Sequence, residues 1–67
     1  MNEETAKSII DHLSRRNVSG HKIIFNSESQ ADKNIPEIMY FLGEGYKSEK
    51  LWVDTSNGEV AYRFTKT

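Results

Sequence analysis

An Asn57-Gly58 dipeptide lies between two alternating apolar–polar runs, Leu51–Thr55 and Val60–Phe64. This is the strongest short-range signal for a β-hairpin with a two-residue turn. Both central positions of a type I′ turn need positive φ, which Asn and Gly tolerate best. A turn centred there sets the register. Ser56 faces Glu59, Thr55 faces Val60, Val53 faces Tyr62 and Leu51 faces Phe64. One face then carries Leu51, Val53, Val60, Tyr62 and Phe64. The other carries Lys50, Trp52, Asp54, Ala61, Arg63 and Thr65, with Trp52 across from Arg63. A slip of one residue exchanges the faces and sends Trp52 into the core.

Upstream, Ala6, Ile9, Ile10 and Leu13 recur at helical spacing and predict an amphipathic helix from Glu3 to Arg16. Asn2 is placed to cap it, and Glu3 and Glu4 sit where the helix dipole favours negative charge. Glu3 with Lys7 and Asp11 with Arg15 have the i,i+4 spacing of helical ion pairs. His21–Asn26 reads as a strand, and its unbroken Ile23-Ile24-Phe25 run predicts cover on both faces. Asn26–Asn34 reads as a polar loop. Ile35, Ile38, Met39 and Leu42 then form a second helical stripe, with Phe41 broadening the buried arc and Tyr40 on the opposite side. Pro36 fits only a first turn, so this helix is expected to begin near Asn34 or Ile35, capped by Asp32 or Asn34. Gly43 ends it. The expected fold is a small single α+β domain over residues 1–67, in the order helix, strand, helix, strand, strand. A three-stranded sheet ends in the C-terminal hairpin, and both helices lie on one face.

Sixty-seven residues give one domain with a marginal core, and the absence of cysteine excludes disulfides and thiolate metal sites. The acidic start differs from a signal peptide, and no apolar run approaches the ~20 residues that span a bilayer, so a soluble, cytoplasmic protein is expected. Nine basic against ten acidic residues give a formal charge of −1, without the basic excess of a dedicated nucleic-acid binder.

Catalytic chemistry finds little to use. His12 lies on the polar face of the first helix and His21 opens a strand. No spacing brings a nucleophile, base and orienting acid together, and both histidines read as solvated surface groups. His12, His21 and Asp11 have no recognisable metal-ligand spacing. Gly43-Glu44-Gly45 follows a helix, whereas phosphate loops open one, so these glycines read as a stop and a turn. No catalytic residue, cofactor or metal is expected.

The remaining signal is Trp52 with Arg63. Structurally, they read as a cross-strand cation–π pair worth about 0.5–1 kcal/mol. Functionally, Trp, Arg and Tyr are the residue types that dominate binding hot spots. The functional expectation is therefore a non-enzymatic module, a regulator or inhibitor, that docks on a larger protein through Trp52, Arg63, Lys50 and Asp54, with Tyr40 as a further contact. A winged-helix-like nucleic-acid binder stands second, with Arg15, Arg16, Lys22, Lys47, Lys50 and Arg63 as phosphate contacts. It requires an extra helix within Ser27–Lys33, and Asp54 and Glu59 on the hairpin oppose it. A homodimer through an open strand edge or the Trp52 face is a further expectation.

Overall fold

The apolar stripe of the first segment forms α1 (Asn2–Leu13), with Ala6, Ile9 and Leu13 buried. These contacts come from a computed structural model that describes all of residues 1–67. The helix stops short of Arg16 because Ser14 takes the C-cap and its hydroxyl donates to the Asp11 carbonyl at 2.6 Å. Arg15 and Asp11 pair at 3.2 Å as their spacing predicts. Asn2 does not cap α1. Its side-chain amide crosses to the second helix and donates to Asn34 Oδ1 at 3.0 Å and Glu37 Oε1 at 2.6 Å.

After β1 (His21–Phe25) comes α2 (Glu28–Leu42), which overturns the expected helix start and the expected polar loop. Ser27 is the N-cap, in extended conformation, and its Oγ accepts from the Gln30 N–H at 3.1 Å. Ser27-Glu28-Ser29-Gln30 is thus the S-x-x-Q signature of a helix start. Neither Asp32 nor Asn34 caps. Pro36 sits in the helix interior, where Asp32 and Pro36 both face solvent. The Asp32 carbonyl, which lacks a proline N–H donor, thus lies on the exposed side of the helix. Ala31, Ile38 and Leu42 are buried, and Gly43 takes a φ of 78° as the stop. Phe41 does not join the buried arc. It is 40% exposed and stacks edge-on against Tyr40, with centroids 5.3 Å apart.

β2 (Tyr46–Val53) and β3 (Val60–Lys66) complete an antiparallel sheet of order β1-β3-β2. The central strand is β3. The double-sided apolar run of β1 had predicted cover on both faces, but β1 is an edge strand and Ile24 is exposed.

The hairpin forms with a different turn and register. Val53 pairs with Val60, Trp52 with Ala61, Lys50 with Tyr62, Glu49 with Arg63 and Ser48 with Phe64, with a bulge at Leu51. Asp54 explains the difference. Its carboxylate accepts from the Ser56 N–H at 3.0 Å and hydroxyl at 2.6 Å, an Asx turn that claims the chain ahead of Asn57. The Gly58 N–H returns to the Asp54 carbonyl and the Asp54 N–H donates to Glu59, each at 2.7 Å. Of these two residues only Gly58 has positive φ (82°), so Asn57-Gly58 is not a type I′ turn. The bulge then shifts the pairing of every residue that precedes it on β2.

The helix-facing side of β3 is the expected one. Phe64 joins Ala6, Ile9, Leu13, Ile38 and Leu42 in one buried cluster, with Ile23, Phe25, Tyr46 and Tyr62 packed around it. Both helices therefore cover the same side of the sheet.

Candidate functional site

The strand pairing arranges the uncovered side of the sheet in three cross-strand rows. Ile24, Ala61 and Trp52 form an apolar row next to the hairpin turn, and Lys22, Arg63 and Glu49 form a second. Thr65 and Lys47 lie in the third, beside Gly20. Ile24 is 48% and Trp52 40% exposed, yet Ala61 between them is wholly buried. The two larger side chains flank the small one and make an apolar strip across all three strands.

Arg63 anchors the middle row. Its guanidinium pairs with Glu49 at 2.7 Å, and its stem lies flat over Gly20. A Cβ at position 20 would meet Arg63 Cδ at 2.8 Å, so glycine is what allows that posture. The expected Trp52–Arg63 pair is replaced by this ion pair, because the turn sets Trp52 opposite Ala61 and the bulge then brings Glu49 opposite Arg63. Three of the expected site residues lie elsewhere. Lys50 points to the helix side, where it bonds Glu28 of α2 at 2.8 Å and lies 5.9 Å from the Tyr62 ring centre. The hydrogen bond it donates to the Glu28 carboxylate holds its ammonium above the usual lysine range. Asp54 is spent in the turn, where the Ser56 hydroxyl and N–H hold its carboxyl below the usual range. Tyr40 is 79% exposed on α2 and does not share the face of Trp52. Sequence reading missed Ile24, Lys22, Lys47 and Glu49 as members of this face. The period-two alternation of β1 held that signal, with Ile24 out of phase with Ile23 and Phe25.

The two histidines, read as separate solvated groups, meet. His12 Nδ1 and His21 Nδ1 are 2.8 Å apart, with the rings edge-on and centroids 4.9 Å apart, tying the end of α1 to the start of β1. One Nδ1 must donate and the other accept, so at least one ring is neutral in this geometry. Burial, and then the neighbouring His12, lower the pKa of His21 from 6.5. The folded chain therefore binds that proton less readily than the unfolded chain. The resulting stability is present above pH 6.5 and is lost as pH falls through the folded value. The expected outcome is a lower Tm at pH 5.5 than at pH 7.5, with the difference reduced in His21→Phe. An unchanged pH dependence in the variant would mean that the histidine pair does not set it. No group of three or more metal-ligating side chains surrounds the pair.

A cleft of about 460 Å³ opens between the start of α1, β1 and α2, lined in part by Met1, Ile23, Phe25 and Lys33. The polar groups Asn2, Asn34 and Glu37 at its wall bond one another. α2 is one continuous helix between β1 and β2, so a second helix for a helix-turn-helix is not formed there. No helix is long and apolar enough to cross a membrane. No protein-family model matches this chain, and no curated protein or solved structure matches it either.

Proposed function

We propose that this chain is a non-enzymatic protein-binding module that docks on a larger protein through the uncovered face of its sheet. The observation that carries this reading is the Ile24–Ala61–Trp52 strip, an apolar surface left in solvent opposite the helices. A domain with only nine buried residues has little apolar surface to spare. A half-exposed tryptophan beside an exposed isoleucine is the composition of an interface centre. The Arg63–Glu49 pair borders the strip as a polar rim.

The reading is tested by placing a photo-crosslinking amino acid at position 52 and, separately, at position 40, then irradiating cells that produce each form. Adducts to a protein at position 52, absent at position 40, are the expected outcome. Equal or no adducts at position 52 would take the docking site off this face.

A further inference from the structure

The uncovered face differs in charge from the rest of the chain. The ionisable side chains in its three rows are Lys22, Lys47, Arg63 and Glu49, and Glu49 is engaged by Arg63. Lys22 and Lys47 have no carboxylate partner. Acids concentrate on the helices instead, with Glu3, Glu4, Asp11, Glu28, Asp32 and Glu37 all exposed apart from their local pairs. A chain of formal charge −1 therefore turns a cationic, apolar-tipped face to solvent on one side.

We propose that this face takes an acidic polypeptide segment anchored by an apolar side chain. The inference rests on the docking reading and specifies the partner's chemistry. The apolar row supplies the anchor site, and the lysines supply the charge. Along β3 the second and third rows lie about 7 and 14 Å from the first, at ~3.4 Å per strand residue. An apolar residue followed by carboxylates two and four positions along an extended chain matches that spacing. A second copy seated face to face brings together two surfaces of like net charge, so charge opposes it. Nucleic acid meets only two unpaired lysines, with Glu49 in the middle row among them.

The probe is a seven-residue peptide with an N-terminal leucine and glutamates at alternate positions. It is titrated into the ¹⁵N-labelled full chain beside counterparts in which glutamine or lysine replaces glutamate. The glutamate peptide is expected to shift the amides of Ile24, Ala61, Trp52, Lys22 and Lys47. Lys22→Glu with Lys47→Glu is expected to weaken it by roughly tenfold or more, and the spectrum itself shows that the variant folds. Equal response to the glutamate and glutamine peptides overturns the acidic partner and leaves the docking face standing. No shift on this face with any peptide also overturns it. The docking reading is then decided by the crosslink at position 52, which does not depend on the partner's charge. Tighter binding of oligothymidylate, falling steeply with salt, overturns it in favour of nucleic acid. Shifts that grow with protein concentration alone overturn it in favour of self-association.

Discussion

Phe64→Ala is expected to leave the chain largely unfolded at 25 °C. Phe64 is fully buried on the central strand and is the only strand residue in the buried cluster shared by α1 and α2. Its flanking partners on the helix side are His21 and Ser48, so no apolar neighbour in its row can move in to fill the space. Truncating a buried phenylalanine to alanine costs about 3–5 kcal/mol where the site cannot collapse. A chain of this length has roughly 3–10 kcal/mol of stability in total, at ~0.05–0.15 kcal/mol per residue. The loss is therefore comparable to the whole. Urea titration followed by circular dichroism checks it, with Phe64→Leu as a folded comparison expected to lose ~1.5 kcal/mol or less. A cooperative transition in Phe64→Ala within 1 kcal/mol of the parent would show that the core does not depend on this ring.

How far the sequence specifies this fold depends on the range of the interactions involved. Helical spacing located α1, the stripe of α2 and the Gly43 stop, because each rests on residues within one or two turns of each other. Alternation placed Val60, Tyr62 and Phe64 on the core side, and Trp52 on the uncovered side, before any pairing was known. The partner of each residue was less legible. Asn57-Gly58 is a strong turn signal in isolation, but the Asp54 carboxylate captures the Ser56 N–H and hydroxyl first. The turn takes Arg63 off Trp52, and one bulge at Leu51 then sets it opposite Glu49 and turns Lys50 from the uncovered face to the helix side. Three of the expected site residues thus changed partner or face through one turn and one bulge. The meeting of His12 with His21 depends on how α1 settles on β1, and no spacing along the chain encodes it.

Pro36→Ala is expected to stabilise the protein, and the reason shows why α2 begins earlier than its proline implies. A proline in a helix interior is about 3 kcal/mol less favourable than alanine, because it removes one hydrogen bond and crowds the carbonyl four residues back. That comparison favours starting the helix at the proline. The Ser27 cap and the burial of Ala31 oppose it, since both are gained only when Glu28–Asn34 is helical. A good N-cap contributes about 1 kcal/mol. The helical first half also brings Asn34 within reach of Asn2, and Glu28 within reach of Lys50. Those gains together exceed the local cost, part of which is relieved because Asp32 faces solvent and its carbonyl can bind water. Alanine at position 36 restores the N–H and keeps every one of these contacts. Against this, the unfolded chain regains about 0.4–1 kcal/mol of conformational freedom that proline had withheld. The net expected gain is on the order of 2 kcal/mol, which for a domain of this size raises Tm by roughly 10 °C. A lower Tm in Pro36→Ala would mean instead that the proline bend is needed to seat Ile38 and Leu42 in the core.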